Sequence, residues 1–185
     1  MDIAFAARDE AYDTALVLLA AEGSPIDACL ASLPEQARGL MHRAVSGRRF
    51  TGKADQAVDA FVDAGAGPRR VLIVGLGNAD YERAGGTIAA RLLTSVETGA
   101  TVIADAAGAD DAARLALGIQ LRSWRQDRFR TELKAEERPS LERVTIIASG
   151  GVDASWQRQS AIANGILFAR MLVTEPGNIL YREIL

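Results

Sequence analysis

Cysteine and histidine are nearly missing from this chain, which has one of each among its 185 residues. Cys29 has no partner for an intramolecular disulfide, which favours a reducing compartment. It lies on the apolar face of a predicted helix, as a buried structural thiol does, and this is not the setting of a nucleophile. His42 has no Cys, Asp or Glu near it in sequence to complete a zinc ligand set, so we expect a surface or capping histidine. Neither a metal site nor a catalytic triad is predicted.

Long hydrophobic segments are also missing. The longest apolar run covers residues 15–21, far too short to cross a bilayer. The first five residues lack the basic and apolar regions of a signal peptide. These absences predict a cytoplasmic protein that does not bind membranes.

A strong charge of one sign is absent too, because 21 Lys and Arg face 24 Asp and Glu, a net charge of -3. This balance provides no field that would attract nucleic acid or an anionic membrane. Residues 122–143 are richer in arginine, but acidic residues alternate with the arginines. The pattern is typical of a solvated, ion-paired surface, so nucleic acid is not an expected partner.

Apolar residues make up 49% of the chain and arrive in patterned blocks, as in a globular α/β domain. Strands are predicted at residues 2–7, 13–21, 50–64, 70–76, 101–105 and 143–148. Helices are predicted at 26–33 and 35–45, after Asp80, from Asp110 or Asp111, and from Asp153 to Thr174. The alternation predicts a three-layer α/β sandwich with a mixed, mostly parallel sheet, in which the first two strands could pair either way.

Three predicted helices carry an apolar stripe. The stripes are Ala84, Ile88 and Leu92; Ala113, Leu117, Leu121 and Trp124; and Ala161, Gly165, Phe168 and Leu172, with Ile162, Ile166 and Val173 beside the last. Asp80 and Asp153 are expected to cap the first and last of these helices. The last should end near Thr174, because Pro176 disfavours helical geometry in the residue before it.

Glycine-rich turns are the remaining signal. Gly75, Gly77 and Asn78 follow a strand and precede a helix, where backbone N–H groups could hold a phosphate. Asp80 occupies the position of the third glycine of the dinucleotide fingerprint and would repel an anion, so a tight turn is the stronger interpretation. Gly85 and Gly86 lie inside a predicted helix, which indicates close backbone packing more than a ligand.

Three blocks of sequence resemble the leucyl aminopeptidase family of two-metal exopeptidases. They are VLIVGLG at 71–77, LGIQLRSWRQDRFRTEL at 117–133 and LVTEPGNILY at 172–181. Departures from the family pattern occur at Trp124, Gln126, Phe129, Arg130, Thr174 and Arg182. The match, with the elements between the blocks, covers about the last 60% of the chain, and the first 70 residues fit more loosely.

The resemblance implies a macro-domain-like N-terminal domain at residues 1–151. Residues 152–185 would hold a linker helix and the start of a catalytic domain that the chain lacks. In this family that missing domain binds two divalent metals, zinc or manganese, and the peptide substrates, and the enzyme is a hexamer. No catalytic or metal residue carries over to this chain, since the family's metal motifs do not occur in it.

The function implied is therefore a non-catalytic one, serving assembly and access to the active site. The alternative is a stand-alone macro-like module that binds a nucleotide or ADP-ribose at Gly75–Asn78. Some members of the family also bind DNA, which the charge balance of residues 122–143 argues against here. The apolar residues after Pro176 lead us to expect that the natural chain continues beyond Leu185.

Overall fold

Strands form where the chain is apolar and β-branched, and helices form between them. The computed structural model describes residues 1–8, 14–63, 67–127, 130 and 132–175. Its strands are β1 Asp2–Ala6, β2 Ala15–Ala21, β3 Ala57–Asp63, β4 Pro68–Gly77, β5 Gly99–Ile103 and β6 Arg143–Ile147. Its helices are α1 Ile26–Leu30, α2 Glu35–Gly47, α3 Tyr81–Leu92, α4 Ala109–Ser123 and α5 Val152–Thr174, with a 3-10 turn at Ala135–Glu137.

The six strands form one sheet in the order β1-β6-β5-β2-β4-β3. All neighbours are parallel except β3, which pairs antiparallel with β4 at one edge. The predicted mixed, mostly parallel sheet is confirmed. The first two strands, whose direction the sequence left open, both pair parallel: β1 with β6, and β2 between β4 and β5.

Helices cover both faces of the sheet, which confirms the three-layer α/β arrangement. On one face, Leu18 and Ile73 pack with Leu30 and Met41 from α1 and α2. The other face forms a second core, in which β2, β4, β5 and β6 meet α3 and α4. The central strands are buried on both sides, which explains their nearly continuous apolar sequence.

Several element boundaries differ from the prediction. α1 ends at Leu30 and not at residue 33, and α2 continues to Gly47. β4 begins at Pro68 and ends at Gly77, so the turn after it falls on Asn78 and Ala79. The start predicted for β2 at residue 13 lies outside the described residues.

Helix α4 begins earlier than predicted. Gly108 is its N-cap residue, and Asp110 and Asp111 lie in the first turn. There the two carboxylates interact with the positive end of the helix dipole instead of capping it. Its buried face is also wider than the predicted stripe, because α4 is packed between the sheet, α3 and α5. Trp124 follows the last helical residue and is only half-buried.

Helices α3 and α4 cross with their backbones in contact. A Cβ added at Gly85 would overlap the carbonyl oxygen of Leu115, and one at Gly118 would overlap the carbonyl oxygen of Glu82. A Cβ at Gly86 would meet nothing within 4 Å. The close backbone packing predicted for Gly85 and Gly86 is therefore found at Gly85 and not at Gly86. Gly118 allows the same close approach from the side of α4.

Helix α5 packs along α4 with a face that the sequence did not predict. Its buried residues are Val152, Ser155 and Ala163, whereas the predicted stripe faces outward. Phe168 and Val173 in particular are 58% and 86% exposed. The predicted apolar stripe on α5 is therefore largely exposed in this chain.

The contacts that hold α5 are polar and aromatic as well as apolar. Arg158 pairs with Asp110 at 3.1 Å, and Arg170 donates to the carbonyl oxygen of Leu121 at 2.6 Å. The Trp156 ring meets that of Phe5 on β1 edge-on, with centroids 5.7 Å apart.

The start of α5 also differs from the prediction, and its end agrees. Gly151, with φ of 86°, is the N-cap residue, so the cap predicted at Asp153 was wrong and that side chain lies in the first turn. The helix ends at Thr174, as predicted. Among the described helices none is both long enough and apolar enough to cross a membrane.

Candidate functional site

The predicted ligand turn at the end of β4 uses its N–H groups within the protein. Gly75 donates to the carbonyl oxygen of Gln56 and Gly77 to that of Gly52, both at 2.9 Å. Asn78 is exposed in the turn itself. Two of the three backbone donors that the phosphate hypothesis requires are thus already satisfied.

A loop before β3 lies directly against these glycines. A Cβ at Gly75 would overlap the carbonyl oxygen of Lys53, and one at Gly77, where φ is 54°, would come within 3.1 Å of Ala54. The two glycines therefore allow this loop to pack closely. Whether the turn also holds a ligand stays a prediction.

Asp80 caps α3 as predicted, because its carboxylate accepts a hydrogen bond from the Arg83 N–H at 3.1 Å. The Arg83 side chain in turn forms a two-bond ion pair with Asp55, with Nε donating to Oδ1 at 2.8 Å. The hydrogen bond from Arg83 holds the pKa of Asp55 below its usual value. An acidic cap and a paired arginine leave little here to attract a phosphate.

His42 lies at the surface, as predicted, whereas Cys29 packs on the predicted apolar face of α1 but is only half-buried. The His42 Nε2 lies 2.7 Å from Asp27 Oδ1 in an exposed pair that joins α2 to α1. Cys29 packs against the α1–α2 core, and burial raises the pKa of its thiol to about 12. A thiol that is hard to ionise is a poor nucleophile. Within the described part of the chain, no three His, Cys, Asp or Glu side chains converge to hold a metal ion.

The arginine-rich segment after α4 is ion-paired where it is described. Arg125 Nε lies 2.6 Å from the carboxylate of Asp127, and Arg130 reaches both Asp127 and Glu137. The hydrogen bond from Arg125 lowers the pKa of Asp127. The predicted ion-paired surface is confirmed at these positions. Arg128 lies outside the described residues.

A cavity of about 260 Å³ opens at the carboxyl edge of the sheet, between β2 and β5. The chain leaves β2 toward α1 on one face and β5 toward α4 on the other. Such a switch of direction creates a crevice in which parallel sheets commonly bind ligands. Its lining combines aliphatic side chains with polar ones, among them Arg8, Cys29, Ser32, Tyr81 and Asp105.

Sequence reasoning missed the charged part of this cavity. Arg8 Nη1 lies 2.7 Å from Asp105 Oδ2, although the two residues are 97 positions apart. Each follows its strand by two residues, β1 ending at Ala6 and β5 at Ile103. Polar residues just after parallel strands are the signal for such a pair, but the strand predicted at 101–105 includes Asp105, whereas β5 ends at Ile103.

Tyr81 begins α3 and borders the same cavity. Burial, with a smaller contribution from the charge of Asp111, raises the pKa of its phenol. The hydroxyl therefore stays protonated near neutral pH. It adds a neutral polar group to a lining whose charges come from Arg8 and Asp105.

Comparison with known proteins identifies the family of this chain. The model described as "Cytosol aminopeptidase family, N-terminal domain" matches residues 16–133. The chain belongs to the cytosol aminopeptidase family. It is 37% identical over 176 residues to a probable cytosol aminopeptidase of Caulobacter vibrioides, and 31% identical over 190 residues to one of Xanthobacter autotrophicus.

These relatives are much longer than the region they share with this chain. The match covers 91% and 96% of the chain but only 36% and 38% of the two relatives. This chain thus spans little more than a third of the length of these relatives. The matching family model describes an N-terminal domain.

Solved structures share the fold. A mutant of tomato leucine aminopeptidase superposes with a TM-score of 0.81 at 23% identity, covering all of this chain and 40% of the tomato chain. The bottromycin maturation enzyme BotP in complex with Mn gives a TM-score of 0.62 at 20% identity, covering 89% of this chain and 32% of that one. The α/β sandwich is therefore the one found in leucine aminopeptidase.

Proposed function

We propose that this chain is the non-catalytic N-terminal domain of a two-metal aminopeptidase that releases N-terminal residues from peptides. Its match to an N-terminal domain, and to just over a third of each relative, supports this function. The described residues offer no cluster for a metal, so we assign the two metals and the peptide site to the catalytic part. A cytoplasmic location fits both the single cysteine and the relatives' names.

We assign the N-terminal domain to residues 1–151, and the linker helix α5 with the start of the catalytic domain to residues 152–185. The observation that carries the proposal is the apolar surface that α5 leaves exposed. Ile162, Phe168, Met171 and Val173 expose apolar surface on that helix. Such a patch marks an interaction surface, and we propose that the catalytic part packs against it and that the complete enzyme assembles as a hexamer.

Activity of the isolated chain tests whether this domain is non-catalytic. The purified 185-residue protein should not hydrolyse leucyl-p-nitroanilide, with or without added manganese or zinc, because the described residues hold no metal cluster. Turnover that a chelator removes, in a preparation free of other peptidases, would contradict the proposal.

The role of α5 requires a complete enzyme. We would replace the matching third of the Caulobacter vibrioides relative with this chain and introduce Val173→Glu. Burying a charge at a contact is costly, so we expect less assembly by sedimentation and lower peptidase activity. Val96→Glu is the matched control, since Val96 is 85% exposed and belongs to the loop between α3 and β5, outside α5. Equal behaviour of the two variants would show that α5 is not an interface.

The alternative function, a stand-alone macro-like module, would place a nucleotide or ADP-ribose at Gly75–Asn78. The internal hydrogen bonds of Gly75 and Gly77 reduce the donors available to it. Calorimetry with ADP-ribose at millimolar concentration distinguishes the two functions. Saturable binding that Asn78→Ala weakens would favour the module.

A further inference from the structure

The cavity between β2 and β5 combines an apolar interior with a pair of opposite charges. Leu18, Leu19, Leu76 and Ile103 contribute aliphatic side chains from β2, β4 and β5. Its volume of about 260 Å³ exceeds the roughly 150 Å³ of an apolar cavity that accepts benzene. The space therefore suits an aliphatic group of four or five carbons together with a polar head.

Arg8 and Asp105 supply the charges on the lining. Their side chains are 56% and 35% exposed, so the pair is accessible from solvent. An exposed ion pair contributes little to stability, because water competes for both groups. A ligand that carries one positive and one negative charge can therefore come between Arg8 and Asp105 at a small cost in free energy. It then provides an opposite charge to each of them.

We propose that this cavity binds a free apolar α-amino acid of about the size of leucine. The ligand's carboxylate would accept hydrogen bonds from the Arg8 guanidinium, and its ammonium would donate to the Asp105 carboxylate. Its side chain would enter the space bounded by Leu18 and Ile103. No bond is made or broken.

Other ligand classes fit only part of this lining. A phosphate would meet Arg8 but also the negative charge of Asp105. An aliphatic acid would leave Asp105 without its cation, and an aliphatic amine would do the same to Arg8. A bound ligand also shields the pair from water, and a charged group that has lost both its partner and its water is costly, so a zwitterion is selected over either half.

The inference rests on the cavity and not on the proposed function. Every group it invokes lies in the present chain, so binding is measured on the 185-residue protein without a catalytic domain. A failure to bind would leave the assignment as an N-terminal domain untouched, and peptidase activity in the isolated chain would leave the binding site untouched.

Cys29 provides a site-specific readout, because it lines the cavity and is the chain's only cysteine. We would measure calorimetric binding of L-leucine at pH 8 together with the rate at which a maleimide modifies Cys29. L-leucine should slow the modification saturably, at least threefold. Leucinamide, which lacks the carboxylate, and 4-methylpentanoate, which lacks the ammonium, should each bind at least tenfold more weakly.

Two variants test the charges directly. Arg8→Gln and Asp105→Asn should each weaken L-leucine binding at least tenfold while leaving the urea midpoint nearly unchanged. Asp2→Asn is the matched control, because Asp2 forms a similar exposed pair with Arg143 at the other end of β1. It should leave binding unchanged.

Several outcomes would overturn the proposal. One is no binding and no protection of Cys29 with L-leucine up to roughly 50 mM, well above the millimolar range of weak ligands. Another is equal binding by leucinamide or by 4-methylpentanoate, since the cavity would then recognise one charge only. Unchanged binding in either charge variant would place the amino acid elsewhere.

Discussion

Gly85 on α3 and Gly118 on α4 lie at the crossing of the two helices, each against the backbone of the opposite helix. The carbonyl oxygen of Leu115 occupies the place of a side chain at Gly85, and that of Glu82 does so at Gly118. The two helices approach so closely only because both residues lack a Cβ. This contact joins two helices that cover the same face of the sheet.

Alanine at either position should therefore force α3 and α4 apart. We expect Gly85→Ala or Gly118→Ala to lower the free energy of unfolding by roughly 1–3 kcal/mol or more, the range for overpacked cores. The measurement is the urea midpoint at constant m-value.

Gly86→Ala is the control within the same helix, because its Cβ would meet nothing within 4 Å. There alanine should stabilise the helix by about 0.5–1 kcal/mol, through its higher helix propensity. Equal losses at Gly85 and Gly86 would contradict the crossing described here.

The cap of α3 gives a second prediction. Asp80→Ala removes the acceptor for the Arg83 N–H and should cost about 0.5–2 kcal/mol of unfolding free energy. Asp80→Asn keeps an acceptor oxygen and should lose much less. If both variants were equally destabilised, the charge and not the cap would be the important feature.

The third prediction concerns the reactivity of Cys29, whose pKa burial raises from 9.0 to about 12. Below pH 9 the thiolate population of Cys29 should be about a thousandfold smaller in the folded protein than in the unfolded chain. A thiolate of higher pKa is the stronger nucleophile, which offsets this loss by about thirtyfold. Alkylation by iodoacetamide should therefore be roughly thirtyfold slower in the folded protein than in urea. Equal rates in the two states would show that Cys29 is not protected by burial.

The same shift makes stability depend on pH. The folded state favours the neutral thiol, so its contribution is complete below pH 9 and is lost as the pH rises toward 12. Cys29→Ala should remove this part of the alkaline dependence, which urea unfolding at several pH values measures. An identical alkaline profile in the variant would assign the loss to other groups.

The fourth prediction concerns Asp55, whose pKa the hydrogen bond from Arg83 depresses below 3.8. The ion pair therefore stabilises the fold fully above pH 3.8. This contribution is lost as the pH falls through the lower pKa that Asp55 has in the folded state. In Arg83→Gln the pKa of Asp55 should return toward 3.8, which carboxyl NMR titration measures. Arg91→Gln, on the same helix, should leave it unchanged.

Features that depend on neighbouring residues could be predicted from the sequence. The apolar blocks at residues 70–76 and 143–148 identified β4 and β6, because burial on both faces leaves a continuous apolar sequence. The cap at Asp80 was likewise local. The mostly parallel sheet followed from the alternation of strands and helices.

Contacts between distant parts of the chain are harder to predict from local patterns. The stripe through Phe168 does not by itself say what it contacts, because its spacing is the same whether a helix packs on its own domain or on another surface. The cavity pair of Arg8 and Asp105 depends on two loops brought together by the sheet order, which no local pattern encodes. Gly118, like Gly85, lies inside a predicted helix, but only the structure shows that the two glycines face each other's helix.

The pairing of β1 with β6 also sets a condition on how the protein can form during synthesis. Asp2 is paired with Arg143, so β1, the first strand of this sheet to be translated, finds its neighbour only after nearly the whole sheet has been translated. The central strand β2 meets β4 and β5 earlier, so the sheet can grow outward from its middle. Pairing across such a separation slows folding. A nascent chain released before residue 147 would display β1 as an unpaired strand, a substrate for chaperones.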